Sequence, residues 1–265
     1  MTTLPLLRRS LADGRRSLVA WALGVAAAVF LYVPLYPSIG GNAQMRAMLD
    51  SLPPGMIQAL GYDDIVTGAG YVSATFYGLL GFAMLVIAAT SWGTAAIAGE
   101  EESGALELTL AHAVSRRQVV AERWLAVALR LAVLTAVAGV LVLSLNSSAD
   151  LEVDVGGVLA ISAAFLGLGM LCSTAAVAVG ALTGRRVYAL AAGAGLAVVG
   201  YAVNAVANQN ADLDRWHVIS PYHWAFGAKP LASGPDWGGL GLLWGGTALL
   251  LAVAVVALDR RDLRN

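Results

Sequence analysis

The chain has 265 residues, 58% of them hydrophobic and 12% charged, with a mean hydropathy of +0.73 and a formal net charge of −1. A soluble domain is about a quarter charged, so this composition excludes an ordinary soluble globule, and the charge balance gives no footing for a nucleic-acid partner. The single cysteine, Cys172, excludes a disulfide within the chain and any cysteine-based metal site.

Residues 1–16 place Leu4, Leu7 and Leu11 at helical spacing beside Arg8, Arg9, Arg15 and Arg16. That pattern predicts a short amphipathic helix on an anionic membrane surface, the alternative being a basic flank that only sets topology. Uncharged runs follow at 17–45, 65–99, 131–149, 155–184, 187–211 and 237–258. Roughly 20 apolar residues cross a core of about 30 Å, so spans are predicted near 17–37, 71–97, 122–145, 157–182, 187–207 and 238–258. The first run is longer than a signal peptide's apolar region of roughly 7–15 residues. It ends in YVPLYPSIGG and reads as a retained span.

Between the first two spans, Met45, Met48, Leu49 and Leu52 take i, i+3, i+4 and i+7 positions before Pro53-Pro54, and Met56, Ile57 and Leu60 suggest a second short helix. These would cap an outer mouth or anchor at the interface. The second run is too long for the bilayer alone: 35 residues as one helix reach about 52 Å. Its helix is therefore predicted to project from the membrane before Glu100.

There the chain becomes highly charged. Gly99 to Arg117 reads GEEESGALELTLAHAVSRR, with Glu100, Glu101, Glu102 and Glu107 followed by Arg116 and Arg117. Leu106, Leu110 and Ala113 at i, i+4 and i+7 predict a short surface helix, with a break permitted at Gly104 and the arginine pair suited to its end. A solvated acidic loop is the bland alternative.

Further on, Arg130 is the one charge inside a span, two turns beyond Arg123 on the same face; it either snorkels to the interface or pairs with another helix or a substrate group. In the fifth span Tyr201, Asn204 and Asn208 share one face. The segment WHVISPYHW, with His217 and His223, reads as an interfacial aromatic belt, since two histidines without further ligand spacing are no metal site.

Twelve arginines flank the spans on one side, against Arg46, Arg215 and Lys229 on the other. The positive-inside rule then puts both termini in the cytoplasm. The fold expected is an all-α polytopic protein, one transmembrane domain over 1–265 with six helices, an amphipathic N-terminal helix and a cytoplasmic helix between spans 2 and 3.

Much chemistry is missing. There is no G-x-x-x-x-G-K-[ST] phosphate loop, and Lys229 is the only lysine. No H-E-x-x-H, G-x-S-x-G or S-x-x-K motif occurs. The predicted spans hold no Asp, Glu or His at mid-membrane for ion coupling, apart from what lies near their ends. Energy would have to come from a partner.

The charged segment resembles the E-E-x-G-T-L-E-L-L-L-x-x-P-V-S-R stretch of ABC-2 type transporter permeases, through Glu101, Glu102, Gly104, Leu106, Glu107, Leu108, Leu110, Ser115 and Arg116. Ala105, Thr109 and Ala113 depart from it, and the missing Pro leaves the helix end less defined. ISPYHWAFGAKPLASG, from Ile219 to Gly234, resembles that family's outer S-P-F…P-L-x-x-G stretch, and Arg260-Arg261-Asp262-Leu263 its R-R-D-L ending. The resemblance implies a homodimeric or paired permease in the cytoplasmic membrane, bound to two ATP-hydrolysing ABC subunits, with ATP and Mg2+ held by the partner and no cofactor or catalytic residue here.

On that resemblance Glu100, Glu101, Glu102, Gly104, Glu107, Arg116 and Arg117 belong to a coupling segment that contacts the ATPase, while Leu106, Leu108 and Leu110 bury against it or the spans. Phe76, Tyr77, Met84, Tyr201 and Asn204 are the candidates for a substrate pathway. Cargo would be hydrophobic or amphipathic, such as a drug, antibiotic or lipid, moved outward. Other readings are a permease for multicopper-enzyme maturation, a stand-alone channel or carrier, and a membrane scaffold.

Overall fold

The computed structural model describes residues 4–40, 65–111, 114–209 and 211–261. The short helices expected around Met45–Leu52 and Met56–Leu60 lie outside the described residues. Those described include six helices long and apolar enough to cross a membrane: Pro5–Ser38, Gly68–Glu102, Arg116–Leu145, Val155–Thr183, Arg186–Ala207 and Trp237–Arg260. They are numbered spans 1 to 6 below.

Helix starts are chemically marked. Thr67, Ser115, Asp154 and Asp236 each cap a span by accepting a backbone N–H from two or three residues on, which satisfies donors that the helix geometry orphans. Gly184, at φ 68°, ends span 4 in the left-handed conformation that glycine adopts without strain.

Span 4 is the centre of the bundle. It packs against spans 2, 3, 5 and 6 and carries the largest buried share of the six. Close approach to span 2 is set by Gly93, where a Cβ would sit 2.4 Å from the Ser173 carbonyl oxygen. Span 2 itself is irregular, with π-helical stretches over Ser73–Leu80 and Ala95–Gly99. Such widened turns recur at functional positions.

The N-terminal residues differ from the expectation of a separate surface helix. Pro5–Tyr32 is one uninterrupted helix that runs along span 3. Two contacts hold it there. Glu122, buried at 2% exposure, accepts the Leu7 backbone N–H at 2.9 Å and is steadied by Gln118 at 2.6 Å. Arg130 donates to the Ser10 carbonyl and lies over the Trp92 ring at 5.9 Å. A Cβ on Gly14 would meet the Arg130 guanidinium, so the glycine makes room for it. With Ser17 also accepting from Trp92 Nε1 at 3.0 Å, the helix is tied to spans 2 and 3 rather than laid flat. Arg130 therefore pairs with another helix.

Both ends of the described chain lie on one face of the bundle. Leu7 meets Glu122, and Arg261 meets Glu101. This is the basic end; Ser220 and the aromatic segment around it lie at the opposite end.

Candidate functional site

The charged segment folds as two pieces. Glu100–Glu102 finishes span 2, Gly104 turns the chain at φ 72°, and Ala105–Leu110 forms a short helix. Leu106 is wholly buried in a cluster with Ile97, Val119, Val120 and Val177, and Leu110 packs at its edge. Glu107 and Ala111 point outward, and Leu108 is 69% exposed.

The three consecutive carboxylates each reach a different helix. Glu100 accepts from Arg123 of span 3 at 3.0 Å. Arg123 is 7% exposed; it also donates to the Ala96 carbonyl at 2.9 Å and to Thr109 Oγ1 at 3.5 Å, so it joins both pieces of the segment. Glu101 pairs with Arg261 beyond span 6. Its carboxylate lies where a Cβ on Gly184 would be, so that glycine serves the pair as well as the turn. Glu102 accepts the Arg186 backbone N–H at 2.8 Å, with the Arg186 guanidinium 3.9 Å away. Span 5 has no capping side chain at its own Arg185. Glu102 supplies that cap from span 2, where the helix dipole favours a negative charge.

Arg116 and Arg117 do not close the short helix as expected. They open span 3, after the Ser115 cap. Arg116 donates to the carbonyls of Leu258 and Arg261, and Arg117 binds Asp259 at 2.7 Å. The last carbonyls of span 6 lack helical partners and carry partial negative charge, so they draw Arg116, while the Asp259 carboxylate at the same helix end draws Arg117. Sequence reasoning missed Arg123, Arg186 and Arg261 as members of the site. The signals were that each lies next to a span end on the arginine-rich side and, for Arg261, that it belongs to the R-R-D-L ending.

The proposed pathway residues are distributed among several contacts. Phe76 and Tyr77 are fully buried, edge-to-face at 5.0 Å and packed on Phe165 of span 4. Met84 is half-buried against Gly24 of span 1. Tyr201 joins Phe82 and Tyr222 in an aromatic cluster with centroids 5.1 to 6.0 Å apart. Asn204 meets His223 at 3.2 Å.

That last group explains the S-P-Y stretch in physical terms. Ser220 is fully buried; its hydroxyl donates to the Gly200 carbonyl at 2.7 Å and accepts from His223 N–H, starting the helix Pro221–Phe226. Tyr222 donates to the Gly78 carbonyl at 2.9 Å, within the first π-helical stretch. The short helix thereby fastens spans 2 and 5 together at this end. His217 and His223 stack at 4.0 Å, and His217 is held by Asp214 and Asn208. Burial first, and then the neighbouring His217, holds the His223 imidazole below its ordinary pKa of 6.5, against the weaker pull of Asp214 and Asp236. Among the described residues no group of three or more His, Cys, Asp or Glu is placed to hold a metal.

The model of the ABC-2 family transporter proteins matches residues 4–263. The chain belongs to the ABC-2 transporter family. No curated protein matches it. As an ABC-2 family member with six apolar helices it is a multi-pass membrane protein, and the family match covers both the charged junction and the S-P-Y helix.

Proposed function

We propose that this ABC-2 chain is the permease subunit of an ATP-driven exporter, and that Glu107, Leu108 and Ala111 form the surface on which an ABC ATPase sits. The observation that carries this is the charged junction, which offers an exposed leucine and carboxylate on one side and is bonded to spans 3, 5 and 6 on the other. A push on that helix would thus be delivered to three spans. The chain has no phosphate loop of its own, so ATP and Mg2+ belong to the partner. The arginine-rich end faces the cytoplasm of the cell membrane under the positive-inside rule. Two copies of the permease with two ATPases would make the complex, and the apolar spans suit hydrophobic or amphipathic cargo moved outward.

The internal pairing supports a different part for the three carboxylates. Glu100, Glu101 and Glu102 act as the transmission, and the residues after Gly104 as the contact. The test is co-purification with an ABC ATPase encoded by a neighbouring reading frame. Wild type is expected to hold the ATPase, and Leu108→Asp to lose it while inserting and melting normally. Equal ATPase recovery with Leu108→Asp would remove the docking role from this helix.

A further inference from the structure

We propose that the ABC-2 chain carries a site for an anionic phospholipid in the groove between spans 4 and 6, with the acyl chain along span 6 and the headgroup phosphate on Arg260 and Arg261. The groove, of about 550 Å³, is lined by Leu182 of span 4 and by Leu249, Val253 and Val256 of span 6, and it ends at the two arginines. Leu249, Val253, Val256 and Arg260 recur at i, i+4, i+7 and i+11, which is one face of the helix. The apolar members of that face are open to the surroundings, with Leu249 68% and Val256 48% exposed.

Three observations fix the occupant. From Leu249 to Arg260 the helix rises about 16 Å, roughly half of a 30 Å hydrocarbon core. The groove therefore has the depth of one leaflet. Its walls are aliphatic until the arginines, so apolar and charged parts follow each other in the order of an acyl chain and its phosphate. Finally, Arg261 uses Nη2 for Glu101, whereas its Nη1 is buried with no hydrogen-bond partner among the described residues. A buried donor of that kind calls for an acceptor, and phosphate oxygens are suited to a guanidinium fork. Since Arg261 also holds Glu101, a bound headgroup would adjust the link between the charged junction and span 6.

The proposal rests on the basic end lying at a membrane surface, but not on ATPase docking, and its test uses the permease alone. The full chain is reconstituted in nanodiscs of equal parts phosphatidylcholine and phosphatidylglycerol and extracted in mild detergent, and the retained lipid is quantified by mass spectrometry. Wild type is expected to retain phosphatidylglycerol over phosphatidylcholine. Arg260→Gln should lower that preference about fivefold, the worth of one basic residue at an anionic surface. Val253→Trp, which puts an indole across the middle of the groove and leaves every charge in place, should abolish it. Leu249→Trp serves the same purpose if the first variant melts abnormally. An unchanged preference in both the arginine and the tryptophan variants would overturn the site. So would complete displacement by inorganic phosphate, which would mark a headgroup contact without a chain groove. If a tryptophan variant instead separated a dimer of the chain with lipid retention intact, the groove would be a seam between copies.

Discussion

Removing Glu100 should destabilise the protein more than removing its partner Arg123. The two differ in surroundings: the side chain of Arg123 is 8% exposed and that of Glu100 38%. In Glu100→Ala the guanidinium stays buried with its charge uncompensated and keeps only neutral acceptors, the Ala96 carbonyl and Thr109 hydroxyl. Breaking a fully buried pair in this way costs about 3–5 kcal/mol, and the partly exposed Glu100 puts this one near the lower bound. In Arg123→Met the methionine fills much of the space, and Glu100 turns to water. The loss is then that of hydrogen bonds to a charged group, about 1.5–3 kcal/mol. The double variant lacks the stranded charge, so it should melt above Glu100→Ala alone. The assay is thermal unfolding of the purified permease in detergent, where each 1 kcal/mol moves the midpoint by about 2–4 °C for a domain of this size. If Glu100→Ala were the milder single variant, and the double variant the simple sum of the two, the buried guanidinium would not be what the carboxylate serves.

Other sites give sharper local tests. Gly93→Ala places a methyl against the Ser173 backbone, and the overpacking should cost about 1–3 kcal/mol, read as a lower melting midpoint. Glu122→Ala leaves the Leu7 N–H without its acceptor; the loss of about 1–3 kcal/mol should appear as earlier proteolysis of the first dozen residues, with spans 4 to 6 unaffected. For His223 the sign follows from its depressed pKa. The unfolded chain takes up the proton first as pH falls through about 6.5, so stability drops below that value and is fully present above it. Melting should weaken as the pH falls below about 6.5, and His223→Gln should flatten that part of the profile.

The apolar helices were legible because their signal is local. The uncharged runs that located all six are visible in short windows of sequence, whereas the caps at Thr67, Ser115, Asp154 and Asp236 emerged only with the structure. The helices outrun the predicted spans at their basic ends, since hydrogen bonding continues after the membrane stops: span 3 begins at Arg116, not near 122. The first span likewise absorbs the residues read as a surface helix, because Glu122 and Arg130 reward a straight continuation. What no window contains is the partner of each carboxylate. Glu100, Glu101 and Glu102 are 23, 160 and 84 residues from their arginines. Charge alone made those glutamates look solvent-facing. Buried Phe76 and Tyr77 illustrate the same limit in reverse, as a resemblance could nominate them but only packing reveals the Phe165 contact.

The arrangement of the three glutamates has a mechanical consequence. Successive helical residues project about 100° apart, so three in a row point around most of the circumference. Each is tethered to a separate neighbour. Twisting the end of span 2 in either sense stretches at least one tether, whereas a shift along its axis strains all three alike. If an ATPase docks after Gly104 as proposed, the junction would resist torque and pass on axial load. A stroke applied after Gly104 would reach the bundle as a piston rather than as a crank.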